Sequence, residues 1–138
     1  FLPGVEETLN AMKADGIPMA IATASEITNV RFFCETFRLD RWFSPDHIIY
    51  DNRTFPLKPA PDIFLHAAAR LGLDPADCIV CEDSANGITA AKTAGIGRII
   101  ARRAEPKIEN IYQDPGIYAV IDDFVGFYPD RLETGDRE

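Results

Sequence analysis

The sequence predicts an α/β domain built on a parallel sheet. Two observations carry the prediction. Short apolar runs (PMAIA, HIIY, CIVC, RIIA, YAVI) recur along the chain, and amphipathic helical patterns fill most of the gaps between them. Glycines also close the helical patterns where helices of ordinary length should stop.

In order along the chain, Val5, Leu9 and Met12 recur at helical spacing, with Glu6 and Glu7 in the first turn, Lys13 in the last, and Gly16 as the stop. Pro18 to Ala22 reads as the first strand. Ser25 can cap a second helix whose inward stripe is Ile27, Val30, Cys34 and Phe37. Trp42 and Phe43 read as anchors of the following loop. His47 to Tyr50 forms a second strand, followed by the proline-rich loop DNRTFPLKPAP. A helix from about Pro61 to Gly72 turns Ile63, Phe64, Ala67, Ala68 and Leu71 inward. Cys78–Cys81 is the third strand, Ser84 to Ala94 a helix ended by Gly95, Arg98–Ala101 the fourth strand and Tyr118–Ile121 the fifth. One domain over residues 1–127 is expected, with residues 128–138 a polar, loose tail.

Composition narrows the function classes. The 138 residues are 46% hydrophobic, enough for one core. A net charge of −8 argues against a nucleic-acid partner. No run approaches the about 18–20 apolar residues of a membrane span, and no secretory leader is seen, so a cytoplasmic protein is expected. Cys34, Cys78 and Cys81 are odd in number and read as small buried apolar residues in a reducing compartment. With His47 and His66 the only histidines, a zinc site has little to draw on. His66 reads as structural, and Arg102 and Arg103 read as solvated.

The candidate chemistry lies at the carboxyl ends of the strands, where open parallel sheets bind ligands. Thr23 and Ser25 follow PMAIA, Glu82 and Asp83 follow CIVC, and Lys58 stands in the loop between. Adjacent carboxylates raise each other's pKa unless a cation is near. A hydroxyl, an ammonium and two carboxylates on one edge therefore point to a phosphate held beside Mg2+, which takes one or two carboxylates plus water and phosphate oxygens. Each group also has a plain alternative. The acids can be solvated helix-start residues, Thr23 a strand end, Ser25 a helix cap and Lys58 a solvated loop residue.

Three stretches, PGVEETLNAMKADGIPMAIATAS, LKPAPDIFLHAA and IVCEDSANGITAAKTAGI, together resemble the haloacid dehalogenase (HAD) superfamily, in particular its β-phosphoglucomutase-like phosphatase branch. The resemblance covers about residues 3 to 103. It implies a three-layer Rossmann-like core and an Mg2+-dependent phosphatase acting on a small phosphorylated metabolite, of the sugar phosphate type, through an aspartyl-phosphate. It further implies that Thr23, Ala24, Ser25 and Lys58 bind phosphate, with Thr23 and Lys58 catalytic, and that Asp83 and Glu82 serve the metal. The family's Asp-x-Asp motif and cap domain are not found in this sequence. The adjacent pair Asp122 and Asp123 has the wrong spacing to replace the motif, since alternate residues of an extended segment share a face. The expectation is a core lacking its central nucleophile strand, inactive alone, with an open slot that a dimer or a strand from another chain could fill. Glu26 stands where relatives that hold a second phosphate carry a cation, which favours a phosphatase over a phosphomutase. A non-catalytic phosphate-binding relative remains the other alternative.

Overall fold

The structure, a computed structural model, describes residues 1–104 and 109–128. Among the described residues five α-helices and five strands follow one another, with short 3-10 turns between some of them: α1 (Val5–Ala14), β1 (Ile21–Glu26), α2 (Ile27–Phe37), β2 (Ile48–Asp51), α3 (Asp62–Leu71), β3 (Ile79–Glu82), α4 (Ala85–Ala94), β4 (Arg98–Arg102), α5 (Glu109–Tyr112) and β5 (Ala119–Ile121). Every ladder is parallel, as the alternation required. The strands form two sheets, β1–β2 and β3–β4–β5, so β1 and β3 each keep one edge without a partner strand among the described residues.

One core cluster joins the two sheets. Ile49 of β2, Ile63 and Phe64 of α3, Ile88, Ala90 and Ala91 of α4, and Ile99 and Ala101 of β4 bury one another. The small residues of α4 let it lie close on the sheet, and Ala90 and Ala91 are fully shielded. A smaller cluster, Ile100, Ile121 and Phe127, occupies another part of the β3–β4–β5 sheet. α1 is tied to the C-terminal segment: Phe124 N–H donates to the Pro3 carbonyl at 2.9 Å and the Thr8 hydroxyl to the Phe124 carbonyl at 3.3 Å. Gly4 has φ +81, and a Cβ there would lie 2.3 Å from the Phe124 carbonyl carbon, so this contact demands glycine. Trp42 and Phe43 are buried, and the Trp42 indole donates to the Asn10 side-chain oxygen at 2.8 Å, which anchors the loop as expected.

Several boundaries differ from the sequence reading. The first strand is displaced toward the C-terminus: it begins at Ile21, pairs Ile21 with Ile48 and Ala22 with Ile49, and continues through a register irregularity to Glu26 opposite Asp51. Ser25 therefore lies in the strand. Glu26 takes the N-cap position of α2, and no side chain caps that helix. The stripe on α2 is only partly covered. Val30 is buried, Cys34 half-buried, and Ile27 and Phe37 exposed. Phe37 instead packs against the Phe1 ring, centroids 5.0 Å apart. Cys81 is exposed and Cys78 half-buried, so the cysteines are not uniformly core residues. The short helix α5 has no counterpart in the sequence reading. Tyr128, assigned there to the tail, is half-buried and its hydroxyl donates to Asp15 at 2.6 Å. Residues 129–138 lie outside those described.

Candidate active site

The site is assembled at the carboxyl ends of β1, β3 and β4 and by the loop before α3. Lys58 enters from that loop and reaches between the two sheets. Its Nζ lies 2.7 Å from Glu82 Oε2 on β3 and 3.5 Å from the Ala22 carbonyl on β1. The Phe64 ring lies under the ammonium, 5.0 Å from Nζ to centroid. The Lys58 and Glu82 side chains are only 13% and 11% exposed, so the pair is largely withdrawn from solvent.

Glu82 has both oxygens engaged. Oε2 takes the lysine, while Oε1 accepts from the N–H groups of Asp83 and Ser84 and from the Ser84 hydroxyl. Ser84 caps α4 in turn, its Oγ accepting from Gly87 N–H at 3.0 Å. A Cβ on Gly87 would lie 2.0 Å from Glu82 Cδ, so the absent side chain is what admits the carboxylate. Two like charges at the end of β3 are thus kept apart by function: Glu82 turns inward to Lys58, and Asp83 turns outward.

The Asp83 side chain is 51% exposed, and its Oδ2 accepts from Arg102 NH2 at 3.1 Å. This corrects the reading of Arg102 as solvated. The β3–β4 register sets Glu82 against Ala101, which places Asp83 and Arg102 side by side where the strands end. Arg103 pairs with Asp122 at 3.1 Å on the exposed surface. Thr23 directly follows Ala22 and its Oγ1 accepts from Ser25 N–H at 3.1 Å, so the hydroxyl orders the irregular end of β1. Ala24 is exposed there and Ser25 half-buried. Glu26 is met by Arg53 at 3.1 Å, so its charge is not isolated. His66 is exposed and its ring packs on Phe55, centroids 4.8 Å apart.

Cys81 leaves part of its surface exposed, but the protein packed around it and, second, the Glu82 charge push its thiol up to about 12. It is a neutral thiol near pH 7 and a poor nucleophile. Among the described residues no three His, Cys, Asp or Glu side chains cluster to hold a metal. The donors present match a hard ion bound by one carboxylate with water and phosphate: Asp83 Oδ1 is the oxygen left for it, and Glu82 is occupied as a partner.

A model of the haloacid dehalogenase-like hydrolase family matches residues 1–95. The chain belongs to the haloacid dehalogenase-like hydrolases. It is 39% identical over 114 residues to the bifunctional riboflavin kinase/FMN phosphatase of Arabidopsis thaliana, covering 80% of this chain and 29% of that protein. To hexitol phosphatase B of Escherichia coli K12 it is 33% identical over 105 residues, covering 76% of this chain and 46% of that enzyme. The crystal structure of a HAD hydrolase, family IA, variant 3, from Entamoeba histolytica superposes with a TM-score of 0.88 at 35% identity, covering 95% of this chain and 58% of that one. The chain thus spans less than half the length of these two curated HAD relatives. No helix among its described residues is long and apolar enough to cross a membrane.

Proposed function

We propose that this chain forms part of the core of an Mg2+-dependent phosphatase acting on a small phosphorylated metabolite of the sugar phosphate type, in the cytoplasm. The phosphoryl group passes to an aspartate outside these 138 residues and is then released to water, which splits one difficult displacement into two. The observation that carries the reading is Lys58, a shielded ammonium held between β1 and β3 at the carboxyl edge. Thr23, with Ala24 and Ser25 beside it, offers its hydroxyl proton to phosphoryl oxygens, its Oγ1 oriented by the bond it accepts from Ser25 N–H. Lys58 balances the charge of the phosphoryl group and the acceptor carboxylate. Asp83 is the carboxylate that would hold Mg2+, with Glu82 behind it through Lys58 and the backbone. Mg2+, when bound, supplies positive charge against the developing charge on the transferring group.

The edges of β1 and β3 that lack a partner strand among the described residues, with Lys58 reaching both strands, support placing the acceptor aspartate on a strand between them. They equally support completion of the sheet by another chain, in a dimer or a mixed assembly, which light scattering of the purified protein tests. For the activity, p-nitrophenyl phosphate is the probe. The 138-residue chain alone is expected to leave it intact. A longer version carrying an Asp-x-Asp strand is expected to hydrolyse it, losing about 100-fold or more in Asp83→Asn and Lys58→Ala. Turnover by the 138-residue chain that Asp83→Asn abolishes would refute the placement of the nucleophile. The pairing of Glu26 with Arg53 removes the simple repulsion of a second phosphate, so the preference for a phosphatase over a phosphomutase rests on the phosphatase relatives.

A further inference from the structure

Arg102 is the cation on Asp83, and the proposed function gives it no part. Its side chain is 22% exposed, so the stem is packed, and NH1 donates to the Arg103 carbonyl at 2.9 Å, which fixes the guanidinium in place. NH2 donates to Asp83 Oδ2 at 3.1 Å. The other nearby cations are committed elsewhere: Lys58 to Glu82 and Arg103 to Asp122. Arg102 is thus a fixed positive charge against Asp83, whose neighbour Glu82 has both oxygens engaged.

We propose that Arg102 is a positioning residue that restricts Asp83 to one-oxygen metal coordination and weakens the hold on the ion. This rests on the reading of Asp83 as metal ligand. Held at Oδ2, Asp83 offers only Oδ1, and the repulsion between the guanidinium and an ion there lowers the affinity. The ion stays exchangeable, and the Asp83 carboxylate stays compensated when no ion is bound.

The test is Mn2+ binding to the longer version that carries the Asp-x-Asp strand, followed by water-proton relaxation in the presence of inorganic phosphate. Arg102→Gln and Arg102→Met, the second preserving the packed stem, are expected to bind Mn2+ about tenfold more tightly than the parent. Arg102→Lys, which restores the charge, is expected to return toward parental affinity. A purely structural role would weaken binding or leave it unchanged in all three variants, and either result overturns the proposal. Asp83→Asn separates the two levels of inference. If it abolishes Mn2+ binding while the Gln and Met variants match the parent, only the role of Arg102 fails. If Mn2+ binds equally without Asp83, or binds none of the proteins, the metal reading fails and the proposal with it.

Discussion

Lys58 Nζ and Glu82 Oε2 meet at 2.7 Å, and this contact ties the loop before α3 to the end of β3. Truncating one partner leaves the other charge shielded and uncompensated. Lys58→Ala or Glu82→Ala alone is expected to lower unfolding free energy by about 2–4 kcal/mol. The double variant Lys58→Met/Glu82→Leu should cost clearly less than the two single losses combined. Urea unfolding checks this, and additive losses would mean that the pair is not coupled.

Gly87 sits in the first turn of α4, where alanine would ordinarily favour the helix by up to about 1 kcal/mol. Here Gly87→Ala is expected to destabilise by about 2 kcal/mol or more, because its Cβ must push Glu82 off Lys58. A thermal midpoint equal to or above the parent's would contradict that geometry.

Ser84 serves both α4 and Glu82. Ser84→Ala should cost about 1 kcal/mol through the lost cap. Ser84→Asp should recover the cap but set a second carboxylate against Glu82, so it is expected to remain below the parent in the same denaturation assay.

Ile63 is fully buried at the start of α3, in the cluster that joins the sheets. Ile63→Ala is expected to lower stability by about 2–5 kcal/mol, whereas Leu65→Ala, at a residue 42% exposed, should change it far less. Equal effects in chemical denaturation would place the core elsewhere.

Much of the architecture was legible because local signals agreed with the global fold. Gly72 and Gly95 do end helices in the left-handed conformation, at φ +70 and +77. Ser84 caps its helix, and Ile63, Phe64 and Ala68 face inward. What failed was set by tertiary contacts. Thr23, Ala24 and Ser25 are small and two of them carry hydroxyls, so they resemble a loop, yet pairing with β2 continues the strand through an irregularity. Phe32, 61% exposed, shows that apolar content on α2 does not by itself mark a buried face. At the candidate site, Lys58 and Glu82 are 24 residues apart and could be grouped by their place at strand ends. The bond from Arg102 to Asp83 needed the β3–β4 register, which no local pattern encodes. Adjacent parallel strands of equal reach set their terminal side chains abreast, and that is the signal that could have found it.

The split between the β1–β2 and β3–β4–β5 sheets has a dynamic consequence. In a continuous sheet the inner strands guard their amide protons longest. Here β1 and β3 have one unpaired side among the described residues, as the outer strands β2 and β5 do, so deuterium should enter all four ahead of β4, which is paired on both sides. Solvent is therefore expected to read the backbone beside the site as readily as at the rim.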